Sequence, residues 1–357
     1  MMIPAAVNLG IELRVLAEQP TESASLAITT IGDYRNVAEV LGFARTVDVV
    51  TFDHEHVPQE VLAELVNNSI AVLPGPEALL YAQNKLLMRE RLAALGLPVP
   101  DWARVETEQQ LADFLAEHGG KAVVKRATGG YDGHGVRVVQ AATEAADWLC
   151  LGEPLLVEEL VHYRRELAQL VARRPSGEIA CWPVVESIQL GGVCAEVIAP
   201  APSSRGRLAD VAEEIARSVA ENLGVTGVLA VELFETTDNR LLINELAMRP
   251  HNTGHWTIDG STTSQFEQHL RAVLDLPLGA TGCRDPWSVM VNILGGPASG
   301  TIADRYPRAF AAEPAVKIHN YGKTPRPGRK VGHVTAGGDN LDQVVFQARA
   351  AADHFQN

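Results

Sequence analysis

The stretch GVLAVELFETTDNRLLINELAMRPHNTGHWT, residues 227–257, contains two apolar runs separated by a short polar segment. Asp238 and Asn239 favour turns, so we predict a β-hairpin with a two-residue loop at this point. Such a loop would place Glu232 directly opposite Glu245 on one face of the hairpin. Since the neighbouring residues are apolar, both carboxylates are expected on a largely buried surface.

Two facing carboxylates in an apolar setting indicate a bound cation. Like charges placed opposite each other on a sheet repel, and a buried carboxylate without a partner is strongly unfavourable. Oxygen ligands of this kind suit Mg²⁺, which usually completes its shell with nucleotide phosphates and water. We therefore predict that Glu232 and Glu245 bind Mg²⁺. The alternative is a surface hairpin with two solvated glutamates.

A second feature is the glycine-rich segment KRATGGYDGHGV, residues 125–136, between two predicted strands. Glycines let a backbone approach phosphates closely and present N–H donors to them. The segment lacks the Walker pattern, and no HRD or DFG motif of a protein kinase accompanies it. Lys125 lies on an apolar strand, where a lysine is costly unless it meets an anion. This supports a phosphate-binding loop, and a simple glycine-rich hairpin turn is the alternative.

A third feature is LLVEELVHYRRE, residues 155–166, in which residues 158–161 follow an apolar strand. A chain that crosses between two lobes here could offer backbone groups to an adenine edge. Glu166 could then offer its carboxylate to the ribose hydroxyls. An acidic strand end is the alternative interpretation.

A fourth feature is the basic segment HNYGKTPRPGRKVGH, residues 319–333, in a strongly acidic protein. Proline and glycine restrict this loop, and its cations indicate a phosphate or carboxylate receptor. A solvated basic loop is the alternative. The cations are Lys323, Arg326, Arg329 and Lys330. Arg249 and His251 closely follow Glu245, so anion-binding groups are also expected beside the proposed metal.

Composition narrows the function classes. The chain has 357 residues, enough for two or three domains, and a formal net charge of −14. That charge disfavours a nucleic-acid partner or an anionic membrane surface, but a local basic cluster could still hold a small anionic substrate. The four cysteines lack CxxC spacing, and no apolar run approaches the length of a spanning helix. We expect a cytoplasmic protein that acts on small molecules.

Apolar periodicity predicts a parallel α/β sheet first and then a strand-rich region. The first part has predicted strands at 11–18, 28–32, 47–54 and 71–74, and helices at 36–44 and 58–67. One helix beginning near residue 79 should end at a glycine, followed by a boundary or hinge at 97–101. Later predicted strands cover 121–127, 135–139, 155–160, 166–174, 179–187, 288–296, 315–322 and 330–335, with helices at 207–223 and near 263–275.

Taken together, these motifs resemble the 5-(carboxyamino)imidazole ribonucleotide synthetases, ATP-dependent carboxylating enzymes of purine biosynthesis in the ATP-grasp superfamily. The segments that carry the resemblance are VVKRATGGYDGHG, VEELVHYRRE, LLINELAMRPHNTGHWT and PRPGRKVGHV. The resemblance implies an α/β and α+β fold: a Rossmann-like domain (1–76), an ATP-grasp domain of two lobes (77–282) and a small carboxyl-terminal domain (283–357). It also implies a homodimer.

The resemblance further implies roles for individual residues. Arg249 and His251 would be catalytic, and Glu232 and Glu245 would bind Mg²⁺. ATP would be bound by Lys85, Lys125, Gly130, Tyr131, Asp132, Gly133, His134, Gly135, Glu158, Glu159, Leu160, Val161, Glu166, Asn244 and Glu245. Aminoimidazole ribonucleotide would be bound by Tyr131, Asp132, Arg249, His251, Asn292, Lys323, Arg329 and Lys330. ATP would phosphorylate bicarbonate to carboxyphosphate, whose carboxyl group passes to the amine.

The sequence departs from the family pattern at three places. His134 stands where an arginine that touches the substrate is usual, and Gln189 replaces a common histidine. The family begins with a strand and a GGGQLGRM-like loop, whose end coincides with Met1 or Met2 here. We therefore expect the natural protein to be longer by a strand and a glycine-rich loop. The alternative functions are a formate-using glycinamide ribonucleotide transformylase, another ATP-grasp ligase, or a non-catalytic nucleotide sensor.

Overall fold

The computed structural model describes residues 1–20, 23–130, 135–204 and 206–356. Its amino-terminal part contains one pair of parallel strands flanked by helices. The elements, in chain order, are α1 (Met2–Leu9), β1 (Val15–Ala17), β2 (Ile28–Ile31), α2 (Val37–Ala44) and α3 (Gln59–Asn67). The two predicted helices and the strand at 28–32 are confirmed, whereas the strand at 11–18 is only three residues long.

The predicted strands at 47–54 and 71–74 are wrong in extent. They are reduced to one isolated parallel bridge between Val50 and Val72. Val50, Phe52 and Val57 are buried in the largest hydrophobic cluster, so their apolar character reflects burial and not strand pairing. Strand prediction from apolar residues alone cannot separate these two causes.

The predicted helix beginning near residue 79 is two helices, α4 (Pro76–Gln83) and α5 (Lys85–Ala94). Asn84 lies between them with extended backbone angles, φ −128° and ψ 103°. Its side-chain oxygen accepts hydrogen bonds from the amides of Leu86 and Leu87, which makes it the amino-terminal cap of α5. The break therefore places Lys85 at the first position of a new helix.

A four-stranded antiparallel sheet follows, with the order β3-β6-β4-β5. Its elements are β3 (Trp102–Val105), α6 (Glu108–Glu117), β4 (Ala122–Arg126), β5 (Val136–Val139), α7 (Ala146–Leu149) and β6 (Leu155–Glu159). Strands β4, β5 and β6 lie where they were predicted, whereas β3 was not predicted. The apolar face of this sheet packs on α6 through Leu111, Phe114 and Leu115.

A larger sheet contains nine strands, in the order β12-β11-β7-β9-β10-β13-β15-β14, with β8 beside β7. Its elements are β7 (Tyr163–Arg173), β8 (Ile179–Cys181), β9 (Val185–Leu190), β10 (Val193–Ala199), α8 (Arg207–Asn222), β11 (Gly227–Thr236), β12 (Leu241–Ala247), α9 (Thr257–Gly260), α10 (Gln265–Val273), β13 (Trp287–Leu294), α11 (Tyr306–Ala312), β14 (Lys317–Asn320), β15 (Lys330–Gly338) and α12 (Leu341–Asp353). The predicted strand at 179–187 is interrupted between β8 and β9, and β10 was missed. β13 pairs with β10, so the sheet runs without interruption into the carboxyl-terminal segment.

The predicted two-residue loop of the carboxylate hairpin is wrong. Thr236 donates a backbone hydrogen bond to Arg240, which leaves a three-residue loop, and Asn239 has φ +63°. A left-handed residue ending such a loop is common, and asparagine tolerates it. The pairing is therefore shifted by one residue near the turn. It returns to the predicted register at Val231 and Leu246 through a bulge in β12.

The largest hydrophobic cluster joins the amino-terminal helices to the large sheet. Leu62 and Leu65 of α3 lie in the same cluster as Val219 of α8, Val231 of β11 and Ile243 of β12. This packing holds the carboxylate hairpin against the amino-terminal part. Within the part of the chain that the structure describes, no helix combines the length and apolar character needed to span a bilayer.

Candidate active site

The bulge in β12 places two side chains opposite Glu232. Asn244 and Glu245 both fall between the paired residues on either side, where β11 contributes Glu232 alone. A bulge redirects side chains relative to a regular strand. Asn244 and Glu245, which would otherwise point to opposite faces, both contact lysines of the site. Glu232 and Glu245 thus lie together as predicted, but through a bulge and not a regular pair.

Two lysines from different parts of the molecule meet at this bulge. Lys85, at the start of α5, places Nζ 2.5 Å from Oε1 of Glu245. Lys125, on β4 of the small sheet, donates from Nζ to Oδ1 of Asn244 at 3.1 Å. The predicted phosphate-binding lysines therefore lie on the same side of the hairpin as the predicted metal ligands.

A buried ion network supports Lys125. Its Nζ lies 2.7 Å from Oε2 of Glu158, and Nη2 of Arg89 lies 2.5 Å from Oε1 of the same carboxylate. Arg89 is 0 % exposed and also donates to the backbone carbonyls of Ile243 and Asn244 at 2.7 and 2.8 Å. A buried carboxylate and a buried guanidinium require such partners. Arg89 therefore links α5, the small sheet and β12 around the site.

The carboxylates of the site differ in their preferred charge state. Burial alone would raise the pKa of Glu245, but Lys85 and Lys125 hold that pKa below its ordinary value. Lys125 and Arg89 likewise outweigh burial and lower the pKa of Glu158. Burial and the charge of Glu245 instead raise the pKa of Glu232 to about 7. Glu232 is thus the carboxylate whose negative charge is least stabilised by its protein neighbours.

This donor set fits Mg²⁺. Two carboxylates share one side of the hairpin, and the raised pKa of Glu232 marks a place where a cation would relieve repulsion. No group of three or more His, Cys, Asp or Glu side chains arranged for a metal occurs in the described ranges. Mg²⁺ needs no such group, because it commonly uses one or two carboxylates and takes its other ligands from phosphates and water.

Arg249 and His251 lie just beyond β12, and His251 lies beside Glu232. Nε2 of His251 is 3.3 Å from Oε1 of Glu232, and Nδ1 is 2.8 Å from the hydroxyl of Thr253. Burial and the charges of Arg249 and Lys330 lower the pKa of His251 well below its ordinary value. His251 is therefore neutral at pH 7. Arg249 donates from Nε to Oε2 of Glu55 at 2.8 Å, a contact to the amino-terminal part.

The glycine-rich loop is described only at its two ends. Gly135 has φ +73°, and a Cβ there would lie 3.3 Å from Cα of Gly130. The two ends of the loop thus approach each other closely, which glycine permits. Tyr131, Asp132, Gly133 and His134 lie outside the described residues, so their predicted roles stay predictions.

The predicted adenine and ribose segment lies where β6 leaves the small sheet and β7 enters the large one. The carboxylate of Glu158 forms ion pairs with Lys125 and Arg89. Oε1 of Glu159 accepts a hydrogen bond from the backbone amide of Asp101 at 3.1 Å. Leu160 and Val161 are partly exposed. Glu166 accepts a hydrogen bond from the hydroxyl of Tyr163 at 3.2 Å, and burial raises its pKa.

The predicted phosphate receptor is partly brought to the site. Lys330, at the start of β15, lies close enough to act on Glu232 and His251, whose pKa values respond to its charge. Lys323 lies 5.6 Å from the centre of the Tyr321 ring, and Arg329 donates to the carbonyl of Thr324 at 3.1 Å.

Asn292 was predicted to bind the ribonucleotide. It lies on β13, is 1 % exposed, and donates to the carbonyl of Cys194 on β10 at 2.9 Å.

Comparison with known proteins decides the family. The protein-family model described as "ATP-grasp domain" matches residues 90–266. Two further family models match on either side of it: "Ribonucleotide synthetase preATP-grasp domain" matches residues 1–83, and "Phosphoribosylaminoimidazole carboxylase C-terminal domain" matches residues 288–347. The N5-carboxyaminoimidazole ribonucleotide synthase of Mycobacterium tuberculosis is 49% identical over 98% of this chain and 83% of its own length. The chain belongs to the N5-carboxyaminoimidazole ribonucleotide synthase family. The predicted fold class, with its ATP-grasp region between two flanking parts, is confirmed.

Solved structures of this family have the same fold. The N5-carboxyaminoimidazole ribonucleotide synthetase of Thermus thermophilus aligns with a TM-score of 0.89 and 34% identity, covering 100% of this chain and 96% of the other. The N5-carboxyaminoimidazole synthase of Aspergillus clavatus was solved in complex with ADP and 5-aminoimidazole ribonucleotide. It aligns with a TM-score of 0.88 and 30% identity, covering 99% of this chain and 94% of the other.

Three residues that support the site have no signal in the sequence that marks them. Arg89 anchors Glu158, Glu55 holds Arg249, and the buried Gln265 bonds the backbone of His251. Arg89 and Gln265 belong to amphipathic helices, where polar residues ordinarily face solvent. Glu55 lies in the poorly patterned segment after residue 50. In both settings, the local sequence cannot distinguish a polar residue that is buried from one that is exposed to solvent.

Proposed function

We propose that this protein carboxylates 5-aminoimidazole ribonucleotide to 5-(carboxyamino)imidazole ribonucleotide, using ATP and bicarbonate and releasing ADP and phosphate. The observation that carries the proposal is the convergence of Lys85 and Lys125, from two different elements, on Asn244 and Glu245 beside Glu232. The lysines come from α5 and β4, and the carboxylates come from the β11–β12 hairpin. Together they form a site that suits a metal-bound polyphosphate. Membership of the synthase family supports this choice of reaction.

In this proposal, Lys85 and Lys125 bind ATP phosphates, and residues 158–161 with Glu166 hold the adenosine. Glu232 and Glu245 hold Mg²⁺, which when bound neutralises phosphate charge during transfer. Lys85 and Lys125 already form ion pairs at the site, with Glu245 and Glu158 respectively. Each lysine can therefore exchange its carboxylate partner for a phosphate with little movement. Their positions are therefore set before the nucleotide binds.

The chemistry needs no covalent attachment to the protein. An oxygen of bicarbonate attacks the γ-phosphorus of ATP, the bond to ADP breaks, and carboxyphosphate forms. The substrate amine then attacks the carboxyl carbon, or the CO₂ released from it, phosphate leaves, and the amine loses a proton. Arg249 and Lys330 supply positive charge for the anionic substrates, while His251 stays neutral beside them and can contribute hydrogen bonds. Exclusion of water matters because carboxyphosphate hydrolyses readily.

The division of the chain and its cellular setting belong to the same proposal. We assign residues 1–76, 77–282 and 283–357 to an amino-terminal, an ATP-grasp and a carboxyl-terminal domain. We further propose a cytoplasmic homodimer that acts on small molecules, without a nucleic-acid or membrane partner. The formal net charge of −14 supports the last point.

A coupled assay of ADP release tests the reaction. We expect rapid ADP release only when ATP, Mg²⁺, bicarbonate and aminoimidazole ribonucleotide are all present. Turnover with formate and glycinamide ribonucleotide instead would assign the transformylase reaction. Tight ATP binding without turnover on either substrate pair would assign a nucleotide sensor and overturn the proposal.

A further inference from the structure

Gln265, the first residue of α10, is 0 % exposed and pairs with the backbone of His251. Its Oε1 accepts a hydrogen bond from the amide of His251 at 2.8 Å, and its Nε2 donates to the His251 carbonyl at 2.7 Å. One carboxamide thus satisfies both backbone groups of one residue, as a neighbouring strand would. This double contact fixes where the His251 backbone lies.

The contacts of Gln265 extend through the residues that follow His251. Its Nε2 lies 2.9 Å from Nδ1 of His255, and because an amide nitrogen only donates, the ring hydrogen of His255 is on Nε2. The backbone amide of Gln265 donates to the hydroxyl of Thr257 at 2.8 Å, and that hydroxyl donates to the carbonyl of Gly254. A Cβ at Gly254 would collide with the Gln265 carboxamide. The segment 251–257 is therefore bonded to the start of α10.

This segment carries the groups that lie beside the proposed metal ligands. Nε2 of His251 is 3.3 Å from Glu232, and Arg249 is two residues before it. We propose that Gln265 is a positioning residue for the carboxylation reaction, holding His251 against Glu232 through its backbone; this role rests on the function proposed above. Misplacement of a reacting group by about 1 Å can lower a rate by roughly 10²-fold.

The same helix offers a matched control. Gln268 is also 0 % exposed, and its carboxamide makes the same double contact with the backbone of Gly279. Its Nε2 donates to the Gly279 carbonyl at 2.8 Å, and its Oε1 accepts from the Gly279 amide at 2.7 Å. The segment that contains Gly279 carries none of the predicted site residues. Gln265→Met and Gln268→Met therefore remove the same double backbone contact from one helix, one near the site and one elsewhere, and Gln265→Met also removes the contact to Nδ1 of His255.

The experiment compares the kinetics and melting temperatures of these two variants. We expect a loss of stability in both, because each leaves two buried backbone groups unpaired, and a somewhat larger loss in Gln265→Met, which also removes the partner of His255 Nδ1. Only Gln265→Met should lower kcat/KM for the ribonucleotide, by about tenfold or more, while the KM for ATP stays within about twofold of wild type. Equal kinetic losses in both variants, or wild-type kinetics in folded Gln265→Met, would overturn the proposal.

Gln265→Glu provides a second test with almost no change in shape. When ionised, its carboxylate can accept from the His251 amide but opposes the His251 carbonyl, whereas the protonated form can donate to that carbonyl. The activity of Gln265→Glu relative to wild type should therefore rise as the pH falls from 8 to 6. The relative activity of Gln265→Met should not change over this range. A flat ratio for both variants would count against the proposed contact.

Hydrogen exchange separates this inference from the proposed reaction. Backbone amides at 251–255 should exchange faster in Gln265→Met than in wild type, and those near 279 should do so only in Gln268→Met. If wild-type protein shows no ribonucleotide-dependent ADP release, the proposed function fails. Unchanged exchange at 251–255 in Gln265→Met would instead overturn the positioning role by itself.

Discussion

The site has two halves that differ in how their charges are balanced. The lysine half comprises Lys85, Arg89, Lys125, Glu158 and Glu245, and each of its carboxylates has a cation within 2.7 Å. The histidine half comprises Glu55, Glu232, Arg249 and His251. There the partner of Glu232 is a neutral histidine, and the pKa of Glu232 rises to about 7. The lysine half is thus organised without a ligand, whereas the histidine half gains most from a bound cation.

The largest expected effect is in the lysine half, on replacing Arg89 by Met. Removing one partner of a buried ion network costs about 3–5 kcal/mol in the free energy of unfolding. Arg104→Met is the control, because Arg104 pairs with Glu106 at the surface, where such pairs contribute roughly 0–1 kcal/mol. Chemical denaturation measures both. Equal losses in the two variants would mean that the buried network does not organise this half.

A second test compares Glu232 and Glu245, the two carboxylates that we propose bind Mg²⁺. Both Glu232→Gln and Glu245→Gln should lower ATP turnover on the order of 10²–10³-fold, by removing charge that the metal site requires. Their stabilities should change in opposite directions at pH 8. Wild-type turnover in either variant would contradict the metal assignment.

The sign of the stability change follows from the pKa directions. The pKa of Glu232 is raised in the folded protein, so its contribution is favourable at low pH and is lost as the pH rises through about 7. Glu232→Gln should therefore raise the melting temperature at pH 8. The pKa of Glu245 is lowered, so its contribution is present above the ordinary glutamate pKa, and Glu245→Gln should lower the melting temperature. The difference for Glu232→Gln should shrink at pH 5, whereas that for Glu245→Gln should persist at pH 5 and shrink only as the pH falls through the lowered pKa of Glu245.

The next effect concerns the cation that faces the histidine half. Lys330→Ala should raise the KM for the ribonucleotide about ten- to a hundredfold, the loss of one charge-assisted phosphate contact, with little change for ATP. Arg308→Ala is the control, since Arg308 is an exposed cation of the carboxyl-terminal segment outside that loop. An equal rise in both KM values for Lys330→Ala would show that the loop serves closure of the site.

The smallest effect concerns His269, a histidine outside both halves. It is fully buried and neutral, with Nδ1 accepting from the amide of Val228 at 3.1 Å and Nε2 lying 2.7 Å from the hydroxyl of Thr51. Burial lowers its pKa to about 4. Its contribution to stability is therefore complete above about pH 6.5 and falls as the pH drops toward 4, by about 2 kcal/mol at pH 5.

The measurement for His269 is the slope of unfolding free energy against pH. His269→Gln should flatten this slope between pH 6.5 and 4 while leaving the KM for both substrates near wild type. An unchanged slope would mean that another group causes the acid sensitivity. The kinetic comparison also gives a baseline for substitutions within the two halves.

The hairpin shows how far sequence reasoning reached. Apolar runs around Asp238 and Asn239 were enough to predict paired strands and the proximity of Glu232 and Glu245. The loop length and the bulge depended on the left-handed backbone of Asn239 and on contacts made by Asn244 and Glu245 across the fold. The backbone of Asn239 fits its local sequence, because asparagine tolerates the left-handed region, but the contacts of Asn244 and Glu245 are made across the fold. Similarly, β10 lacks a distinctive pattern because Glu196, buried within it, is paired with Arg349 of the distant α12.

The buried residues that hold the site residues in place, such as Arg89 and Gln265, were the least predictable part of the site. Lys85 and Lys125 were singled out by motif, but the buried partners Arg89 and Gln265 look like ordinary surface residues of amphipathic helices. Their burial results from tertiary packing between elements far apart in sequence, such as α5 against β12 and α10 against the 251–257 segment. Only the folded structure reveals those contacts.

The pairing of β10 with β13 has a consequence for how the protein can be divided. Four backbone-paired positions join the strands, from Glu196 opposite Val291 to Ala199 opposite Ser288. Removing everything after residue 282 would turn β10 into an open edge strand with an apolar sequence, which invites pairing with other chains. The strands of the carboxyl-terminal segment are therefore an integral part of the large sheet and cover its β10 edge. It cannot be exchanged between homologues as an independent module unless β10 is exchanged with it.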